Sequence, residues 1–188
     1  MKRLFALALA AVVAIEGYAV PCVGKTIVVG HYGTAESEMI ANVVAVLLRE
    51  RTGTTVKLRK YGDTREIHKA MVDDEIAIYQ EYSRVALTEV LGEGPGKSAA
   101  EEFSRVKVLY NDKFDMVWLN PLGFNRGNSQ AALIILKHTI AKFPALPKLL
   151  NKLSGPLTGA ALDGMVKRAA SDGFEKSARE FLKAEKLI

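Results

Sequence analysis

From Lys25 to Leu91 the hydrophobic period changes repeatedly, from β-branched runs to helical spacing and back, and this rhythm constrains the fold most. Residues 25–30 read Lys-Thr-Ile-Val-Val-Gly, a short buried strand closed by glycine. Over residues 36–51, Met39, Ile40, Val43, Val46 and Leu47 recur at helical spacing, and Thr52-Gly53 stops the helix. Residues 55–58 form a second strand. Asp63 or Thr64 then caps a helix whose face is Ile67, Ala70 and Met71. Residues 75–79 are a third strand and 83–91 a third helix. Such alternation predicts an α/β layer around a largely parallel sheet.

The second half keeps the alternation and then becomes helical. After the Gly92–Gly96 loop, a helix is expected over 99–111 and a strand with the lone tryptophan over 114–119. Asn120-Pro121-Leu122-Gly123 is expected to turn the chain, and 131–136 is another apolar strand. Helices follow at 139–143, 146–153, 160–170 and 174–186, separated by Pro144, Pro147, Pro156 and the Ser171-Asp172-Gly173 turn. This gives a sheet of about five strands flanked by helices, with a helical C-terminus.

Residues 1–19 read as a secretory signal peptide, with residue 24 as the alternative end. Lys2 and Arg3 form a positive start, and Leu4 to Ile15 is an uncharged apolar stretch shorter than the roughly 20 residues of a membrane-spanning helix. Gly17 and Ala19 supply the small side chains a signal peptidase reads. The protein is therefore expected to be exported, with residues 25–188 as one α/β lobe. Cys22 is the only cysteine, so no internal disulfide forms. Val20-Pro21 before it lacks the small residue of a lipid-attachment site, which argues against a lipoprotein anchor.

With 26 Lys+Arg against 21 Asp+Glu the formal charge is +5, but the basic residues are scattered. Nucleic-acid binding needs a concentrated basic face, so no nucleic-acid partner is expected. The histidines, His31, His68 and His138, have neither the spacing of a metal site nor a nucleophile in a strained turn. His31 with Glu36 is the one conceivable base–carboxylate pair. His68 reads as a solvated helix residue and His138 as a helix start. No enzyme activity, metal or cofactor is expected.

Several segments resemble one known family in order along the chain. They are Ile27-Val28-Val29-Gly30 followed by Thr34-Ala35-Glu36, then Tyr61-Gly62-Asp63-Thr64. Next come Ile76-Ala77-Ile78-Tyr79-Gln80-Glu81-Tyr82-Ser83 and Val117-Trp118-Leu119-Asn120-Pro121-Leu122-Gly123-Phe124-Asn125. The tail, 143–153 and 178–188, fits as well. Together they are similar to the binding proteins of ABC importers for glycine betaine, choline and other quaternary amines. The resemblance implies a lobe of the type II periplasmic binding-protein fold, an ABC permease as partner, and a periplasmic or exported location.

One departure matters. In that family the Gly-Phe-Asn segment leads into a second lobe, whereas here Gln130-Ala131-Ala132-Leu133 looks like the strand returning at once. The missing wall would then come from a homodimer or a separate second-lobe partner. Otherwise ligand binding is lost, leaving a non-catalytic module that docks on a permease or another protein.

A quaternary ammonium has no N–H to donate and is held instead by aromatic faces. The resemblance makes Tyr79 a box aromatic, with Thr34 and Thr64 as polar contacts. The acid two residues before that tyrosine is Ala77 here. Tyr32, Tyr61, Tyr82 and Trp118 are further aromatics near predicted strand ends. Each also has a plainer reading: strand packing for Tyr79, core for Tyr82 and Trp118, helix caps for Thr34 and Thr64.

Overall fold

A computed structural model describes residues 26–188. The signal-peptide reading of 1–19 or 1–24 and the thiol of Cys22 lie outside the described residues. The chain runs β1 (Ile27–Tyr32), α1 (Ala35–Thr52), β2 (Val56–Tyr61), α2 (Thr64–Val72), β3 (Ile78–Tyr82) and α3 (Ser83–Val85). A π-helical turn, Ala86–Val90, extends α3. Then follow α4 (Ala99–Phe114), β4 (Met116–Arg126), β5 (Ser129–Leu136), α5 (Lys137–Lys142), α6 (Leu146–Leu150), α7 (Gly159–Asp172) and α8 (Phe174–Ala184).

The strands form one five-stranded sheet in the order β2-β1-β3-β5-β4. β1 pairs in parallel with β2 from Ile27↔Val56 to Tyr32↔Tyr61, and with β3 at Val29↔Ile78. β5 is antiparallel to both β3 and β4, so four strands point one way and β5 alone opposes them. The α/β lobe with a mostly parallel sheet and a helical C-terminus is therefore the observed architecture. Among the described residues no helix is long and apolar enough to cross a membrane.

Two apolar layers clamp the sheet. On one face α1 lies against β1, β2 and β3 and is covered in turn by α7 and α8. A helix between a sheet and other helices has no solvent side. The central residues Met39 to Leu48 are accordingly all buried, Ala41, Asn42, Val44 and Ala45 included. On the other face α2, the π turn and α4 pack against Met116, Trp118, Ala132 and Ile134. Local signals set the helix limits: Thr34 accepts from Ser37 N at the start of α1, and Gly53, at φ 66°, ends it.

Three expectations need correction. The third strand is displaced to Ile78–Tyr82, so Gln80, Glu81 and Tyr82 are strand residues, and Tyr79 lies in the strand body rather than at its end. Asn120-Pro121-Leu122-Gly123 does not turn the chain; β4 runs through it with two register irregularities. β4 is the sheet edge, where a proline without an N–H removes no ladder bond. The reversal comes at Gly127 and Asn128, with Gly127 at φ 58°. Finally, His68 is buried, packed edge-on against Tyr110 and Phe114 at 5.3 and 4.6 Å between ring centroids. Burial holds its imidazole down to about 4.

Candidate ligand-binding site

Parallel pairing brings the C-terminal ends of β1, β2 and β3 to one rim of the sheet. The chain leaves β1 toward β2 on one side and returns to β3 on the other, so the crevice between β1 and β3 is the topological switch point. A cavity of about 200 Å³ opens there, lined by Tyr32, Thr34, Glu36, Ser37, Thr64, Gln80, Glu81, Tyr82, Val85 and Arg126. Of the sequence-predicted residues, Tyr32, Thr34, Thr64 and Tyr82 are thus brought together. Thr34 is also the cap of α1, whereas Asp63, not Thr64, caps α2.

Tyr79 is not among them. Side chains alternate along a strand, so with Gln80 and Tyr82 toward the α1 face, Tyr79 and Glu81 turn to the α2–α4 face. Tyr79 is fully buried there, its hydroxyl 3.4 Å from His68 Nδ1. Trp118 is likewise core, and Tyr61 lies at the side of α2, beyond the cavity.

Two polar clusters flank the crevice. On the α2 side the carboxylate of Glu81, almost wholly buried, accepts from the Tyr32 and Thr64 hydroxyls and from the Tyr82 N–H at 2.7 Å. The two hydroxyl oxygens stand 3.0 Å apart. Burial raises the Glu81 carboxyl above its ordinary value, although the three donors oppose the shift. On the α1 side the Tyr82 hydroxyl donates to Glu36, which also pairs with Arg126. The Arg126 guanidinium lies over the Tyr82 ring, 5.4 Å from its centroid, and Phe124 packs edge-on against that ring. Burial and Glu36 together raise the Tyr82 phenol. Between the clusters the Gln80 amide is buried with Nε2 lacking a hydrogen-bond partner.

Glu36, Gln80, Glu81 and Arg126 were not singled out as ligand contacts from sequence. Glu36, Gln80 and Glu81 lie inside the segments that carry the family resemblance, whereas Arg126 falls just past the last residue of one and had no such signal. His31 and Glu36 do not form a dyad: the imidazole Nδ1 is 2.7 Å from the Tyr32 carbonyl, and Glu36 is engaged elsewhere. No group of His, Cys, Asp and Glu among the described residues could hold a metal ion.

A family model for the substrate-binding domain of ABC-type glycine betaine transport systems matches residues 25–128. The chain belongs to this family. Among its relatives in the family, the carnitine transport binding protein OpuCC of Listeria monocytogenes is 24% identical over 160 residues, covering 83% of this chain and 50% of that protein. The ergothioneine transport permease/ergothioneine binding protein EgtU of Helicobacter pylori is 28% identical over 110 residues, 57% of this chain and 19% of that protein. The chain spans about half the length of OpuCC. Two solved structures share the fold at low identity. A glycine betaine/carnitine/choline ABC transporter protein superposes with a TM-score of 0.80 at 15% identity, covering 86% of this chain and 99% of the other. Apo YehZ from Escherichia coli gives 0.77 at 13%, covering 87% and 100%.

Proposed function

We propose that this member of the glycine betaine-type substrate-binding family is an exported lobe that captures a quaternary-ammonium compound and presents it to an ABC permease. The observation that carries the reading is the Tyr82–Glu36 corner, an aromatic face with a carboxylate beside it that already holds a cation. Each such face contributes about 0.5–2 kcal/mol toward a cation that cannot donate hydrogen bonds. Gln80, with a buried donor unpartnered, suits a ligand oxygen such as a carboxylate or hydroxyl. Thr34 and Ser37, at the start of α1, add hydroxyls beside that corner. Nothing in this reading requires turnover.

One lobe covers only part of a tetrahedral ammonium. In this reading the opposite wall comes from a second copy of the chain or a separate lobe. Isothermal titration with glycine betaine, choline and carnitine tests the proposal, with Tyr82→Ala as control. Saturable heat that weakens in the variant is expected, and no binding at millimolar ligand sinks the reading. The burial of Tyr79 favours a second reading, a permease-docking or interaction module without a ligand, and that null titration is its signature.

A further inference from the structure

Arg126 is the last residue of β4, directly before the turn that joins it to β5. Its guanidinium reaches across the crevice to Glu36 in the first turn of α1, 90 residues earlier in the chain. It also covers the Tyr82 ring. Aromatic face, carboxylate and cation therefore form a closed set, and the protein supplies the cation. A guanidinium is planar, delocalised and weakly hydrated, so it imitates an alkylammonium on a tyrosine face better than a lysine would.

We propose that Arg126 is a tethered competitor, occupying the seat of the ligand's cation and leaving it when ligand binds. The inference rests on the quaternary-ammonium reading of this cavity. Two features let the side chain leave. It is 66% exposed, against 26% for its partner Glu36, so the guanidinium moves into water without opening the core. It also stands at the hairpin tip, where a change of rotamer suffices and no strand has to shift. Glu36 and Tyr82 stay joined to each other and keep the seat in shape.

The consequence depends on ligand chemistry. Choline leaves the displaced guanidinium without a partner, so the whole Arg126–Glu36–Tyr82 interaction opposes binding. Glycine betaine carries its own carboxylate, which offers Arg126 a replacement, so the opposition is smaller.

Titrations of wild type and Arg126→Gln with choline and with glycine betaine test this. Releasing an exposed ion pair and a cation–π contact is expected to tighten choline binding about three- to thirtyfold, with a smaller gain for glycine betaine. Unchanged or weaker choline binding in the variant, with wild type binding normally, overturns the competitor. A second readout needs no variant. The Arg126 Nε–Hε resonance of wild type, shifted by the Tyr82 ring current, is expected to move to its solvent position on adding choline. Choline binding without that movement also overturns the proposal. Failure of the underlying reading looks different: neither protein binds either ligand, and both the seat and its competitor fall together.

Discussion

The hydroxyls of Tyr32 and Thr64, 32 residues apart in sequence, stand 3.0 Å apart and both donate to the carboxylate of Glu81. One residue ends β1 and the other begins α2, so this contact fixes the α2 side of the crevice.

Thr64→Val keeps the shape and removes one donor from a buried carboxylate. A cost of about 1–3 kcal/mol is expected from urea unfolding, with Thr64→Ser close to wild type. A Thr64→Val protein as stable as wild type would mean that the Glu81 network is not formed.

Stability against pH should show two opposing groups. The Glu81 carboxyl is raised in the folded state, so its contribution is greatest below its ordinary value of 4.5 and is lost as pH rises above it. His68 is held at about 4 against an ordinary 6.5, so the unfolded chain takes up its proton first and stability falls as pH drops through that window. Glu81→Gln should therefore steepen the loss of stability on acidification and His68→Leu should flatten it. Urea midpoints measured across that range check both signs.

Ligand affinity should separate the two tyrosines of β3. Tyr82→Ala is expected to weaken choline binding about two- to thirtyfold. Tyr79→Phe, altering a residue turned away from the cavity, should leave the dissociation constant unchanged. Equal losses in both variants would place the ligand on the α2–α4 face instead.

Gly123 of β4 bridges to Thr158, and a Cβ there would stand 3.1 Å from both the Gly155 and Leu157 carbonyl oxygens. Those atoms are backbone and cannot rotate aside. Gly123→Ala is expected to cost about 1–3 kcal/mol, read as a lowered urea midpoint.

Local physics made much of the fold legible. Helix 36–51 and its stop at Gly53 follow from spacing and from a residue that enters the left-handed region without a Cβ penalty. The third strand was misplaced because the apolar run is Ile76 to Tyr79, whereas Gln80 and Glu81 beyond it argue against a buried strand. Glu81 is buried nonetheless, since hydroxyls from two other elements meet it there. Pro121 misled for a related reason: proline breaks a central strand, but β4 turned out to be an edge.

The sequence alone determined most of the elements and their order, because hydrophobic period and caps act over a few residues. It set Tyr79 beside Tyr32, Thr34, Thr64 and Tyr82, and the structure gathers only the last four at the rim. Only the tertiary structure decided that Tyr79 faces the interior and that Arg126 lies over Tyr82. Side-chain direction in a strand reverses with a one-residue shift in register. That register is fixed by pairing with β1 and β5, which are far away in the sequence.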